Sequence, residues 1–234
     1  MPRTKNNPAP VDPAASLGKR RTYNSRSMTE RRSRIIAAAL AIIEEGGPNS
    51  ATIRSVSKRA GVALRTLYLY FDNREAMISV AIKEFFHQSL ELDSSKNDPA
   101  TVADVVERLD RLCDVIEKSR SYSKALSPIF FSPNVDQAIY DVLKQMALSH
   151  VFPFLDNALA ATRMRPSQQL KELICTQISN TQYAVINDVF SGRLSEENFA
   201  LFLKISVLSC IAGYLPKIPK DMKETLRELQ AELG

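Results

Sequence analysis

The sequence predicts an all-α protein, an N-terminal three-helix unit that carries a helix-turn-helix followed by a larger helical domain. Three observations carry this expectation. Apolar residues recur at i, i+3, i+4 and i+7 along most of the 234 residues. No segment sustains the strict alternation of a half-buried strand. Pro, Gly, Ser and Asp fall between the periodic stretches, where helices start and stop. A chain of this length can bury one large core or two small ones. With 44% hydrophobic and 24% charged residues it has the composition of a soluble globular protein.

Residues 1–27 hold Pro2, Pro8, Pro10 and Pro13 among Asn, Ser, Lys and Arg without periodicity, and read as a disordered arm. The arm's basic cluster, Lys19, Arg20, Arg21 and Arg26, is placed to follow DNA phosphates or enter a minor groove, or is simply solvated. Thr29 reads as the N-cap of a first helix striped by Ile35, Ile36, Ala39, Leu40, Ile42 and Ile43 and stopped by Gly46, Gly47 and Pro48. Thr52 caps a second helix with Ile53, Val56 and Ala60 on one face. Gly61 takes the left-handed turn that follows. In the third helix Val62, Leu67 and Phe71 point to the core, which leaves Leu64, Arg65, Thr66, Tyr68 and Tyr70 outward. Two short helices about one glycine turn are a helix-turn-helix, its second helix sized for the major groove.

Asp72 or Asn73 caps a fourth helix to about Asp93, its buried side Met77, Ile78, Ala81, Ile82, Phe85 and Phe86. Asp98 with Pro99 opens a helix to about Ser119, and Ser132 with Pro133 opens another that breaks at Pro153. Ser167 starts a long helix to Phe190, closed by Gly192. Ser195 caps the next, to about Gly213, and Pro219 begins a charged last helix.

The motif GV-x-x-x-TLY-x-YF, running from Gly61 through Thr66, Leu67, Tyr68, Tyr70 and Phe71 to Arg74 and Glu75, resembles the signature of the tetracycline-repressor (TetR) family of bacterial regulators. The preceding RRSRIIAAALAIIEEGG is similar to that family's first helix. The likeness covers about residues 29–82; beyond them only length and helical character match. Two positions depart from the pattern. Ala63 stands where the family commonly has a Ser, which removes a cap from the third helix, and Arg65 stands where a small residue is common. The resemblance divides the chain into the arm 1–27, a DNA-binding domain 28–75 and an effector-binding and dimerisation domain 76–234.

Charge agrees with that division. Residues 1–74 carry 14 Lys and Arg against 5 Asp and Glu, whereas residues 75–234 carry 17 against 21. A polyanion therefore suits the first part only. The odd set Cys113, Cys175 and Cys210, with no C-x-x-C and no secretory leader, points to a reducing compartment and a cytoplasmic protein. The cysteines read as small core residues rather than a redox switch. His87 and His150 lack partners at ligand spacing, so no metal or other cofactor is expected. The uncharged stretch Ile205–Pro216 is too short to span a bilayer.

Helix 195–213 is apolar almost all round, with Phe199, Leu201, Phe202, Leu203, Ile205, Val207, Leu208 and Ile211, and must be covered on more than one side. It is the centre of a monomer core or the seat of a second copy. The resemblance implies the second: helices 167–190 and 195–213 form a four-helix bundle with their symmetry mates, with Phe199, Phe202, Leu203 and Val207 in the interface. Tyr122, Phe130, Phe131, Phe152, Phe154 and Tyr183, interleaved with Gln177, Asn180, Thr181 and Asn187, line a small-molecule cavity or are ordinary core.

The resulting expectation is a homodimeric repressor on a palindromic double-stranded operator, released by a small, mainly apolar effector. Arg65 is expected to read guanine, Leu64 a thymine methyl, and Thr66 a base edge or phosphate. Tyr68, Tyr70 and Arg74 are expected to hold phosphates, with Arg54 a further candidate contact. The alternative is a nucleoid or division factor on the same fold with no effector. Neither a nucleophile elbow nor a phosphate loop occurs, so no enzyme is expected.

Overall fold

In the computed structural model, which describes residues 13–91, 99–161 and 165–234, every regular element is helical. The all-α expectation holds throughout these residues. The first helix, α1, runs from Pro13 to Gly46. Thr29 is therefore inside it and not its cap. Residues 13–27, expected as a disordered arm, have helical backbone instead; residues 1–12 lie outside the described ones. Pro13 sits in the first turn, where its missing N–H costs nothing, and no proline follows before Pro48. A helix already nucleated downstream extends at one hydrogen bond per residue ordered.

The next three helices follow the sequence closely. In α2 (Ile53–Ala60), Thr52 Oγ1 accepts from the Ser55 N–H at 3.0 Å and Ser55 Oγ accepts from the Thr52 N–H at 2.9 Å, a reciprocal cap. Gly61, at φ 63° and ψ 38°, turns the chain as a residue with a Cβ rarely does. Ser57 locks that turn by donating to the Val62 carbonyl at 2.7 Å. Then come α3 (Leu64–Tyr68) and α4 (Arg74–Glu91). Asn73 Oδ1 accepts the Ala76 N–H at 2.7 Å and so caps α4. Ile35, Ile43, Val56, Leu67, Met77, Ile78 and Ile82 are all fully buried and make the core of this part.

The remaining helices depart more from expectation. Helix α5 (Val102–Lys118) is capped by Thr101 with Asp104; Asp98, the expected cap, lies outside the described residues. Helix α6 (Arg120–Phe130), with Pro128 inside it, is not set apart as a helix of its own in the sequence expectation. Helix α7 (Gln137–Ser149) is capped by Asp136, whose Oδ1 accepts from the Ala138 N–H at 2.9 Å, and not by Ser132. Pro153 lies in the first turn of α8 (Phe152–Ala161), so it opens that helix. Ser167 caps α9 (Gln168–Phe190) as expected, accepting from the Leu170 N–H at 3.2 Å. A short 3-10 turn leads into α10 (Phe199–Tyr214), and α11 (Lys220–Leu233) follows Pro219.

Helix α4 joins the two halves, packing on α1 at one side and on α7 and α5 at the other. Its Glu84 pairs with Arg32 of α1 at 3.0 Å. Helix α10 packs on α9, α11 and α5. By length and composition, residues 196–214 could cross a membrane, with a mean hydropathy of 1.2. Phe199, Leu203, Val207, Leu208 and Ile211 of this stretch are buried in the core, and Lys204, only 12% exposed, reaches Asp110 of α5 at 2.7 Å.

Candidate nucleic-acid interface

The outward face of α3 follows from one buried side chain. Leu67 is fully buried and pins the helix to the core. The turn geometry then leaves Leu64 43%, Tyr68 60% and Leu69 73% exposed, with Arg65 exposed and Thr66 half-buried beside them. Arg65 has no partner among the described residues, so its five donors are available to an outside acceptor. Arg54, also exposed, stands in the first turn of α2. Ala63 gives α3 no side-chain cap, as its departure from the family's Ser implied. Leu69 escapes the sequence reading because it falls just past the end of α3, where helical spacing no longer assigns a face.

Two of the expected phosphate contacts are used inside the protein. The Tyr70 hydroxyl donates to the Met28 carbonyl at 2.9 Å and is half-buried, which ties the segment after α3 to α1. Having one proton, that hydroxyl has no second donor for a phosphate. Arg74 donates through Nε to the Ala51 carbonyl at 3.0 Å and through Nη2 to the Pro48 carbonyl at 2.5 Å. Its Nη1 meets Glu75 Oε1 at 2.8 Å, a hydrogen bond that holds the Glu75 carboxyl below the usual carboxylate range. The guanidinium thus braces the loop before α2 against the start of α4. On the far side, Arg59 forks onto both oxygens of Glu45, at 2.5 and 2.7 Å, and fastens α2 to α1.

The expected interface residues of α10 separate in the same way. Phe199, Leu203 and Val207 are buried by this chain's own α5, α9 and α11, so they form monomer core; Phe202 is half-buried. The outward stripe is made instead of Ser206, Ser209 and Gly213 on α10 and Leu173, Gln177 and Ala184 on α9. A helix apolar on all sides hides its outer face from sequence patterning, and here the outer face consists of its small residues.

Among the aromatic residues, Phe130 stacks between Tyr183 at 4.3 Å and Tyr140 at 5.0 Å, and the Tyr183 hydroxyl donates to the Leu143 carbonyl. Phe131 and Phe152 face outward. Burial pushes the Cys113 thiol up to about 12, and Cys175 and Cys210 are raised for the same reason, so none is poised as a thiolate. No cluster of metal-ligating side chains occurs among the described residues.

Residues 35–81 match the family described as bacterial regulatory proteins, tetR family. The chain is 27% identical to the HTH-type transcriptional repressor KstR of Rhodococcus jostii (strain RHA1) over 190 residues, 77% of this chain and 78% of that one. Among solved structures it is similar to a tetR-family transcriptional regulator from Streptomyces coelicolor, with a TM-score of 0.53 and 16% identity over 87% of this chain and 89% of the other. The transcriptional regulator FadR from Bacillus subtilis, solved in complex with stearoyl-CoA, matches with a TM-score of 0.55 and 20% identity, covering 77% of this chain and 98% of that one.

Proposed function

Because this chain belongs to the tetR family of bacterial regulatory proteins, we propose that it is a cytoplasmic transcriptional repressor. It binds a palindromic operator as a homodimer and leaves it when a small, mainly apolar effector enters the helical domain. The observation that carries the DNA-binding part is the face of α3: Leu64, Arg65, Thr66 and Tyr68 are turned outward by the burial of Leu67, with the Arg65 guanidinium unpartnered among the described residues. Arg65 reads guanine O6 and N7, and Leu64 a thymine methyl. Thr66, Tyr68 and Arg54 set the register on the backbone. Tyr70 and Arg74 hold the reading head in place instead of touching phosphate.

The two-fold axis passes by the outward stripe of α9 and α10, where Ser206, Ser209 and Gly213 let helices approach closely. Two recognition helices must then meet half-sites about 34–36 Å apart, so a modest change in their separation misaligns one. Helix α4 is the lever. Roughly 18 Å of helix separates Arg74, at the reading head, from Phe86, at the effector domain. An effector that prefers the misaligned arrangement by about 1–3 kcal/mol weakens DNA binding roughly 5–150-fold.

Selection from random duplex DNA tests this reading and should return a palindrome. Binding to that sequence should fall by about 10³–10⁵ between 50 and 200 mM salt if six to ten phosphates are contacted. Return of no enriched palindrome would overturn the proposal.

A further inference from the structure

Between α4, α5, α6, α7 and α9 the helical domain encloses a cavity walled by Phe86, Leu112, Ile116, Leu126, Met146 and Ile186. Its space, counted with the solvent at its mouth, amounts to about 440 Å³, but only about 30 Å³ is wide enough for water, room for roughly two waters. The cavity is narrow, and an occupant larger than water must separate its walls to enter.

The polar groups that share the lining are unusual. Ser127 Oγ and Gln182 Oε1 are buried and have no hydrogen-bond partner within the protein. The orientation of Gln182 is set by its neighbour: the Ala147 carbonyl, 2.8 Å away, only accepts, so the amide NH2 faces it and the carbonyl oxygen is the orphan. His150 lines the same space and is fully enclosed; burial, with Arg108 and Arg111 adding to it, holds its pKa near 4, so the ring is neutral. No Asp, Glu, Lys or Arg is among the described lining residues. Buried polar atoms are almost always paired, and orphans at a cavity wall indicate what the occupant must bring.

We infer that this cavity binds an uncharged, mainly apolar molecule carrying a hydroxyl group, which donates to Gln182 Oε1 and accepts from Ser127 or His150. The donor is the specific demand. A ketone, ester or ether oxygen satisfies Ser127 and leaves Gln182 orphaned, a penalty that separates otherwise equal ligands. A carboxylate or phosphate would enter a cavity with no charged side chain in its lining, the cations Arg108 and Arg111 lying only near enough to act on His150, and is disfavoured by the cost of its desolvation. That the occupant also acts as the effector rests on the repressor reading above; that the cavity takes it does not.

The test uses n-octanol and its isomer heptyl methyl ether, of equal atomic composition, with octanoate as the charged probe, titrated calorimetrically into the full chain. Octanol should bind about tenfold more tightly than the ether, and octanoate more weakly than either. Gln182→Met should bring the two isomers within twofold. Ser127→Ala, which removes an unpaired hydroxyl and leaves the fold intact, should weaken both isomers about two- to fivefold while raising the melting temperature. Equal affinities of the isomers for the unsubstituted protein, or octanoate bound as tightly as octanol, would overturn the inference. A labelled operator in the same titration separates the two readings. Octanol bound with the stated preference but without release of DNA leaves the cavity assignment standing and overturns release by this ligand class.

Discussion

Replacing Arg74 by lysine separates two roles that a cation at the start of α4 can play. If Arg74 held a phosphate, lysine would keep most of the binding, since the charge survives. The geometry gives the side chain an internal role. Its Nε and Nη2 donate to the Ala51 and Pro48 carbonyls, at 3.0 and 2.5 Å, from a side chain only 27% exposed. A single ammonium on a flexible stem cannot span both carbonyls with the fixed fork of a guanidinium. Two charge-assisted hydrogen bonds are worth about 1.5–3 kcal/mol each before water reaches the freed carbonyls; with partial resolvation we expect a loss of about 2–3 kcal/mol. For a domain of this size that is roughly 5–10 °C in melting temperature. Urea and thermal unfolding of Arg74→Lys and Arg74→Ala should therefore show similar losses, and operator affinity should fall only as far as the reading head loosens. An unchanged melting temperature for Arg74→Lys, with a shallower salt dependence of DNA binding for Arg74→Ala, would refute the brace and restore the phosphate contact.

Three further outcomes follow from the same geometry. Arg65→Ala should leave the melting temperature unchanged and cost about 1–3 kcal/mol against the preferred operator only, measured by anisotropy on specific and random duplexes; equal losses on both would make Arg65 a phosphate contact. Leu203→Asp should unfold the helical domain, because Leu203 is fully buried within the monomer, whereas Ser209→Arg on the outward stripe should leave helical circular dichroism intact and yield monomers by light scattering. Dimers retained by Ser209→Arg would place the interface elsewhere. Ala63→Ser should cap α3 and raise stability by about 0.5–1 kcal/mol, read by urea unfolding; no gain would mean that the α3 N-terminus is already satisfied.

What the sequence discloses, it discloses where local chemistry decides the structure. Thr52 as a cap, Gly61 as the left-handed residue, Leu67 as the anchor of α3 and Ser167 as the start of α9 are each set by a residue and its near neighbours. Legibility fails where a distant contact decides. Tyr70 reads as a phosphate donor because nothing in its surroundings along the chain reveals Met28, which lies across the fold. Arg74 gives as little sign along the chain of its acceptors, which lie on the loop before α2. Helix α6 lacks a capping signal of its own, and its place is set by packing on α9 and α1, which lie far along the chain. The inward and outward faces of α10 cannot be separated from sequence, since hydrophobicity all round leaves no contrast to read.

The proposed reading head is a helix of five residues, uncapped, held by one buried leucine, with the side chains proposed to read DNA turned outward. Substitutions at Leu64, Arg65 and Tyr68 therefore fall on the class of surface positions whose changes shift stability by no more than about 0.5 kcal/mol. Descendants of this protein are free to exchange one operator for another without first acquiring a compensating mutation in the core. The tie from Tyr70 to α1 and the Arg74 brace keep the geometry of presentation constant while the letters being read change. In a duplicated gene, that separation lets a second copy acquire new target sites in single steps, with its folding, its pairing with itself and its small-molecule cavity inherited unaltered.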